Sequence, residues 1–343
     1  MRRLLNTLFV TSEDIYLSLD GENVVANRDK AEAARYPLHT LSGILTFSYA
    51  GASPALMGAC AERGISLCFC TPRGKFLARV SGEANGNVLL RRTQYRIADD
   101  PVQSCRIAGT MVFGKIYNAR WCIERTKRDH ALRVDVKRLS ETCAQLKAML
   151  PQIASATELE RLRGMEGVGA AAYFSVFDQL ILGNREEFAF QGRNRRPPLD
   201  PVNALLSFAY SLLSHDCAAA LESVGLDSYV GFLHRDRPGR SSLALDLMEE
   251  FRPCIADRFV LTCINNRIFS KPDFVHGESG AVSLTEDARR VFLRRWQERK
   301  KETLTHPFLG EKIPWGLAPY VQALLLARHL RGDLEEYPPF LWK

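Results

Sequence analysis

The chain has 343 residues, of which 46% are hydrophobic and 25% charged, and its formal net charge is +7. This composition is typical of a globular protein of about two domains, and it excludes a disordered or fibrous chain. The apolar runs are too short for a membrane span, and polar residues 12–14 interrupt the run that imitates a signal peptide, so we expect a cytoplasmic protein without a membrane partner.

The first hundred residues carry the pattern of β-strands. Residues 7–26 predict three strands with a turn at DGEN, and GILTFSY, ISLCFCT and KFLARVSG predict three more. Between them, SPALMGACAERG predicts a short helix with Ser53 as its N-cap, Pro54 at its first position and Gly64 as its stop.

The pattern changes to a helical period near residue 97. Apolar residues then recur at helical spacing over six stretches: 105–150, 156–182, 201–223, 241–265, 285–301 and 316–331. We therefore predict an α+β protein with three parts. These are a small N-terminal β-rich domain (1–97), a linker (98–104) and a larger all-α C-terminal domain (105–343).

The cysteines and the basic residues give weaker signals. Nine cysteines without Cys-x-x-Cys spacing favour buried, reduced thiols over a zinc site or disulfides. Each basic cluster alone is typical of a solvated face, but together the four favour a polyanion such as nucleic acid as a partner. These clusters are RRTQYR (91–96), ERTKRDH (124–130), GRNRR (192–196) and RRVFLRRWQERKK (289–301).

The segment GFLHRDRPGRSSLALDLMEEFRP (231–253) contains a histidine and, after it, a leucine-rich run that carries three acids, Asp246, Glu249 and Glu250. Ser241 or Ser242 begins a predicted helix that reaches about Phe251, with its acids on the side opposite the leucines. One interpretation is a solvated acidic face. The other is a set of nitrogen and oxygen ligands, completed by the histidine, which suits Mn²⁺ or Mg²⁺.

A further carboxylate, Glu166, lies among glycines and alanines in RLRGMEGVGAAAYF (161–174). Glycines lower helix propensity, so their presence indicates close packing or access. Two interpretations remain open: a tight helix crossing with Glu166 on its rim, or a carboxylate in a shallow pocket.

Three segments together closely resemble the CRISPR-associated endonuclease/integrase family that catalyses spacer acquisition. They are GMEGVGAAAYF, RPPLDPVNALLSFAYSLL and GFLHRDRPGRSSLALDLMEEFRPCIADRFVL. The resemblance extends along the whole chain and implies an N-terminal β domain that forms the homodimer and a C-terminal α-helical catalytic domain. It also implies a small dimeric second CRISPR adaptation protein as partner, with a pre-spacer DNA duplex and the CRISPR repeat as substrates.

The resemblance also assigns roles to residues. The family's metal ligands fall on Glu166, His234 and Glu249, and an acid implicated in function falls on Asp246. Glu250 has no such role, and we assign it to the solvated face. The implied reaction is attack of a DNA 3′-hydroxyl on a phosphodiester, assisted by Mn²⁺ or Mg²⁺.

Arginines that flank the acidic helix are candidates for DNA contacts, namely Arg240, Arg252 and Arg258. The alternative is that they pair with Glu249, Glu250 or Asp257 and only stabilise the fold. Two other functional classes also remain open: a non-catalytic basic module that binds nucleic acid, and a metal phosphoesterase acting on small molecules.

Overall fold

The computed structural model describes residues 6–10, 12–71, 76–80, 82 and 88–343. Tertiary contacts divide the chain into two compact units. The first comprises 1–85, 286–303 and 314–317, and the second comprises 86–285, 304–313 and 318–343.

The first unit contains two small sheets and two helices. Its elements are β1 (Asn6–Val10), β2 (Tyr16–Asp20), β3 (Asn23–Arg28), β4 (Ala31–Pro37), β5 (Leu41–Thr46), α1 (Pro54–Glu62), β6 (Ser66–Cys70), β7 (Phe76–Arg79) and α10 (Glu286–Lys301). One sheet has the order β1-β5-β6-β7, with β1, β5 and β6 parallel and β7 antiparallel to β6. The other is antiparallel, with the order β2-β3-β4. Helix α1 makes the crossover that the parallel pair β5–β6 requires.

The second unit is mostly helical. Its elements are α2 (Val88–Asp99), α3 (Pro101–Asp129), α4 (Val136–Ala154), α5 (Leu159–Ser175), α6 (Phe177–Leu180), α7 (Pro201–Ser223), α8 (Ser242–Glu249), a π-helical turn (Arg252–Asp257), α9 (Arg258–Asn265), β8 (Phe274–His276), β9 (Val282–Leu284) and α11 (Ala318–Leu330). Strands β8 and β9 form a hairpin, and so do two further short strands, β10 (Thr303–Thr305) and β11 (Lys312–Pro314).

Helix α3 packs closely against α5 and against the residue that follows α8, and a glycine lies at each of these two contacts. An added Cβ at Gly114 would lie 3.1 Å from Cγ of Glu250, just after α8. An added Cβ at Gly169 of α5 would lie 2.3 Å from Cδ1 of Ile116 on α3. Because neither glycine carries a side chain, α3 approaches both α5 and the end of α8 closely.

Helix α7 is the most apolar part of this unit. Among the described residues, Pro201–Glu222 is the one helical segment long and apolar enough to cross a membrane, with a mean hydropathy of 1.3. However, 61% of that window is buried inside the fold. This burial is typical of the core helix of a globular protein.

The predicted α+β architecture is confirmed. Helix α1 is also confirmed: the Ser53 hydroxyl accepts the N–H of Leu56 at 3.2 Å, and Gly64 follows the helix with φ +63°. The eight cysteines whose side chains are described are buried and not disulfide-bonded, in agreement with reduced thiols; the side chain of Cys70 lies outside the described part.

The structure differs from the sequence-based division of the chain in three respects. The N-terminal segment of the first unit ends at residue 85 rather than 97, because α2 packs against α3 and α11 of the second unit. The range 98–104 is a junction between α2 and α3 at Asp100, whose carboxylate caps α3 by accepting the N–H of Val102 at 2.9 Å. Helix α10 groups with the N-terminal unit although it is distant in sequence.

Candidate metal centre

Asp246 holds the His234 ring in one orientation. The Asp246 carboxylate, on α8, is fully buried. It accepts the backbone N–H groups of Phe232, Leu233 and His234 at 2.6, 2.9 and 3.0 Å. Its Oδ1 also lies 2.5 Å from Nδ1 of the His234 ring. Because a carboxylate accepts hydrogen bonds, Nδ1 donates to Oδ1, and in the neutral ring Nε2 keeps its lone pair.

Gly231 makes this arrangement sterically possible. An added Cβ at Gly231 would lie 2.8 Å from Oδ2 of Asp246 and 2.9 Å from both C and Cβ of Ser242. A side chain here would push the backbone away from α8. The glycine therefore lets three successive N–H groups reach one carboxylate.

Lys115 joins the other two predicted ligands. Its ammonium group, on α3, contacts Oε1 of Glu166 on α5 and lies 2.6 Å from Oε2 of Glu249 on α8. The Lys115 and Glu249 side chains are 9% and 3% exposed, whereas the Glu166 side chain is 27% exposed. The ion pair is the main contact of the Glu249 Oε2 atom, which is buried and receives no well-directed hydrogen bond. A cation thus holds two carboxylates together, and Glu166 is the one that faces solvent.

The surroundings of Glu249 keep it ionised. Burial alone would raise the pKa of this carboxyl group. The charges of Arg252, Lys115 and the protonated form of His234 outweigh burial, in that order, and lower the pKa to about 2. The strongest of these partners, Arg252, contacts the second Glu249 oxygen, Oε1, at 3.1 Å.

A second buried acid lies behind Arg252. The Arg252 guanidinium stacks over the Tyr210 ring, 5.0 Å from its centroid. The Tyr210 hydroxyl donates to Oδ1 of Asp257 at 2.5 Å. Burial raises the pKa of Asp257 to about 6, although this hydroxyl and nearby arginines oppose the shift. Arg252 is therefore clamped between Glu249 and the Tyr210–Asp257 pair.

The assignment of Glu250 to a solvated face is wrong. Glu250 is fully buried. Its oxygens lie 2.6 Å from the Tyr337 hydroxyl and from the Phe340 N–H, and 3.1 Å from Nε2 of Gln322. Burial raises the pKa of Glu250 to about 8, despite these three donors. The α8 helix is too short and too enclosed to have a solvated acidic side.

The three candidate arginines have different surroundings. Arg252 is 14% exposed and pairs with Glu249, in line with a stabilising role. The Arg258 guanidinium stacks over the Trp342 ring at 4.3 Å. Arg240 lies in the loop before α8, and within the described ranges its side chain has no hydrogen bond or ion pair. Of the three, Arg240 is the best placed to meet a phosphate.

Both interpretations of the small residues around Glu166 are realised on one helix. Gly169 forms the tight crossing with α3, whereas added Cβ atoms at Gly164 and Gly167 would meet nothing within 4 Å. Glu166 and Gly167 lie at the edge of a groove of about 630 Å³. Its other lining residues include Phe174, Phe190, Arg138, Arg193 and Arg195. Gly167 has no side chain, so it leaves this groove open beside the carboxylate.

As placed, no three His, Cys, Asp or Glu side chains in the described part of the chain surround a common metal position. The structure brings Glu166 and Glu249 together around Lys115. His234 lies beside them, close enough for its charge to lower the pKa of Glu249. The donor chemistry nevertheless fits a divalent ion, because a buried carboxylate oxygen faces a cation and an oriented imidazole has a free nitrogen.

Sequence reasoning missed Lys115 and Tyr210, and it named Asp257 only as a possible partner of the flanking arginines. The one signal for Lys115 was a lone cation within the apolar run MVFGKIY (111–117) of α3. Buried lysines are rare unless paired, so that position pointed to a carboxylate partner. Nothing local indicated which carboxylate it would be.

The fold and the site together define a class of protein: a β-rich unit and a helical unit, the latter with a carboxylate–histidine site suited to a divalent metal. Residues 8–298 match the family described as CRISPR associated protein Cas1. The chain belongs to this family. This confirms the resemblance found in the sequence.

Curated relatives match the whole chain. CRISPR-associated endonuclease Cas1 1 of Chlorobaculum tepidum is 49% identical over 343 residues, covering 100% of both chains. CRISPR-associated endonuclease Cas1 2 of Rhodospirillum rubrum is 50% identical over 347 residues, again covering 100% of both.

Solved structures share the fold at low sequence identity. A casposase bound to an integration product has a TM-score of 0.82 at 22% identity, covering 98% of this chain and 93% of the casposase chain. A Cas6-RT-Cas1–Cas2 complex has a TM-score of 0.81 at 23% identity, covering 100% of this chain and 36% of that one.

Proposed function

We propose that the chain is a divalent-metal-dependent DNA endonuclease and integrase that inserts short DNA fragments into a CRISPR array as spacers. The names of its curated relatives support an endonuclease. The casposase bound to an integration product supports DNA joining. The observation that carries the proposal is the pair Glu166 and Glu249 beside His234, whose Nε2 is free.

The proposed reaction is attack of a DNA 3′-hydroxyl on a phosphodiester of the repeat. Glu166, His234 and Glu249 would hold Mn²⁺ or Mg²⁺. When bound, such an ion supplies Lewis-acid stabilisation of the negative charge that develops on the phosphate. Asp246 keeps the His234 ring in one tautomer, and Arg252 keeps the Glu249 carboxylate ionised and oriented.

The proposed assembly contains a homodimer of this chain, DNA and the second adaptation protein, in the cytoplasm. The structural neighbour in a complex that contains Cas2 supports the second partner. The β2-β3-β4 sheet supports the homodimer, because β2 bonds to residues 51–53 on its outer side whereas β4 is an exposed edge strand. Exposed edges are surfaces that a second copy can cover.

The test is joining of pre-spacer DNA to a plasmid that carries the repeat, with Mn²⁺ and with the partner supplied or omitted. Glu166→Gln should lower the rate at least about a hundredfold, because it removes a charge from the carboxylate pair. DNA binding by this variant should survive. Glu160→Gln is the matched control, since Glu160 lies on the same helix with its side chain 68% exposed. It should join DNA like the wild type.

The same assay separates the two other functional classes. Binding of DNA without metal-dependent joining, by wild type and Glu166→Gln alike, would indicate a non-catalytic binding module. Competition by mononucleotides as effective as that by long branched DNA would indicate a phosphoesterase for small molecules.

A further inference from the structure

The Lys115 ammonium contacts the two carboxylates that the proposed function assigns to a metal ion. We infer that Lys115 is an internal cation that competes with a divalent ion for Glu166 and Glu249, and that metal binding displaces it. This inference rests on the proposed function, because it concerns the same carboxylates. It assigns a role to Lys115, which is not itself a metal ligand: its ammonium group weakens metal binding.

The geometry places one cation where another would have to be. Lys115 Nζ contacts Glu166 and lies 2.6 Å from Oε2 of Glu249, which is the oxygen of that carboxylate not held by Arg252. A divalent ion shared by these carboxylates, with or without bound water, would have to contact the same oxygens. The ammonium and the ion therefore exclude each other sterically.

The position of Lys115 is built into the helix packing. Gly114, its neighbour on α3, allows α3 to approach Glu250, and Gly169 allows α5 to approach Ile116. These two close crossings bring the ammonium between carboxylates from two different helices. The Lys115 side chain is 9% exposed, so it is enclosed there rather than lying across an open surface.

The charges favour displacement over joint occupancy. The carboxylates of Glu166, Glu249 and Asp246 are neighboured by two cations, Lys115 and Arg252. Adding two positive charges while Lys115 stays would place like charges within a few ångströms in a poorly screened site. Departure of Lys115 restores the balance, and its flexible four-carbon stem allows the movement.

Arg252 provides the contrast. It also touches Glu249, but through Oε1, and it is fixed over the Tyr210 ring at 5.0 Å. Among the described residues, its ion pair is with Glu249 and not with Glu166. Arg252 can therefore remain in place when a metal binds, whereas Lys115 cannot.

The expected effect follows from competition. If Lys115 occupies the carboxylate pair about 90% of the time, the apparent Kd for the metal is about tenfold weaker than without Lys115. We therefore expect Lys115→Met to bind Mn²⁺ about tenfold more tightly than the wild type. The measurement is titration of the chelator-treated full chain with Mn²⁺ alone, followed by the electron paramagnetic resonance signal of the free ion.

Arg252→Met is the matched control, because it also removes one enclosed cation from Glu249. It should tighten Mn²⁺ binding much less than Lys115→Met does. Equal tightening by the two variants would show a general effect of charge and overturn the inference. Equal affinity of wild type and Lys115→Met would overturn it as well. If neither the wild type nor Lys115→Met bound Mn²⁺, the proposed metal-dependent function on which the inference rests would be overturned instead.

A second measurement uses the wild-type protein and so does not depend on a variant that folds. Lysines are methylated with formaldehyde and a borohydride reagent, and the products are quantified by mass spectrometry with and without saturating Mg²⁺. Labelling of Lys115 should rise several-fold with Mg²⁺, while labelling of the equally enclosed Lys300, 8% exposed, should not change. Unchanged labelling of Lys115 would overturn the inference, and so would an equal rise at both lysines.

Discussion

Asp246 decides which nitrogen of the His234 ring is available. An isolated imidazole can carry its proton on either nitrogen, but the contact of 2.5 Å between Nδ1 and the Asp246 carboxylate selects one tautomer. The same carboxylate anchors the loop through three backbone N–H groups. One residue thus fixes the position, the rotation and the protonation pattern of the histidine.

The first prediction tests this role. Asp246→Asn keeps the size of the side chain but replaces one of two acceptor oxygens with a donor amide, so either the ring or part of the loop backbone faces a donor instead of an acceptor. We expect DNA joining and Mn²⁺ affinity to fall by about 10–100-fold. Asp236→Asn, in the exposed loop before α8, is the control and should behave like the wild type. Wild-type Mn²⁺ affinity in Asp246→Asn would contradict the positioning role.

At this scale the sequence predicted which residues lie near one another better than it predicted their environments. The helical spacing of Asp246, Glu249 and Glu250 predicts that they share the side opposite the leucines, and it leaves a solvated face and a metal site open, with Glu250 on the solvated face. The structure buries all three, because the C-terminal segment covers Glu250 and α3 covers Glu249. Both covering segments are distant in sequence, so no local pattern could have indicated them.

Helix α5 carries two kinds of glycine. Gly169 is needed for the crossing with α3, where an added Cβ would lie 2.3 Å from the Ile116 side chain. Gly164 faces open space on the same helix. In GMEGVG, Gly169 is needed for helix packing, whereas Gly164 faces open space. The motif alone does not show which glycine has which role.

The second prediction is that alanine at these two positions has opposite effects. Gly164→Ala should raise the free energy of unfolding by about 0.5–1 kcal/mol, because alanine has the higher helix propensity. Gly169→Ala should lower it by about 1–3 kcal/mol through overpacking against Ile116. Urea unfolding of the two variants and the wild type measures both effects. Stabilisation by Gly169→Ala would contradict the tight crossing.

Predicted helices differ in how well their bounds agree with the structure. The stretch 201–223 coincides with α7, since Asp200 and Pro201 mark its start. The stretch 241–265 is instead two α-helices separated by a π-helical turn that begins at Arg252 and Pro253. Hydrophobic periodicity continues through this turn, so it could not reveal the interruption. Such turns often lie at functional sites, and this one directs Arg252 towards Glu249.

The whole molecule combines an enclosed site with a basic surface. Arg252 is clamped by Glu249 and Tyr210, whereas Arg240 lies in a partly exposed loop. Neutralising phosphates releases counterions, so each phosphate contact adds to the salt dependence of DNA binding. Enclosed and exposed arginines should therefore have separable effects on folding and on binding.

The third prediction compares these two arginines by alanine substitution. Arg240→Ala should reduce the slope of log K against log salt by about one, with an unchanged melting temperature. Arg252→Ala should lower stability by about 3–5 kcal/mol, because it leaves Glu249 buried without its main partner. Salt titrations of duplex binding and thermal melting give both quantities. If Arg240→Ala left the salt slope unchanged, Arg240 would not contact a phosphate of the DNA. The basic residues of α10 would then be the next candidates to test.

The two-part organisation was predictable from the change of period near residue 97, but the membership of the parts was not. Helix α10 has the same amphipathic pattern as the helices of the second unit, yet it groups with the β-rich unit. Periodicity tells a helix from a strand and carries no information on which core a helix joins. The proposed homodimer and partner likewise depend on surfaces rather than on patterns within the chain.

The hydrogen bond between Glu250 and Phe340 has a consequence for biosynthesis. These residues are 90 positions apart, so at roughly 5–20 residues per second a ribosome needs about 5–18 s to make the second after the first. Until then Glu250 lacks the N–H of Phe340 and the hydroxyl of Tyr337, and the helix that presents Glu249 is anchored on one side only. A nascent chain therefore holds Glu249 incompletely while it is still being translated, and premature termination anywhere before Tyr337 makes that state permanent.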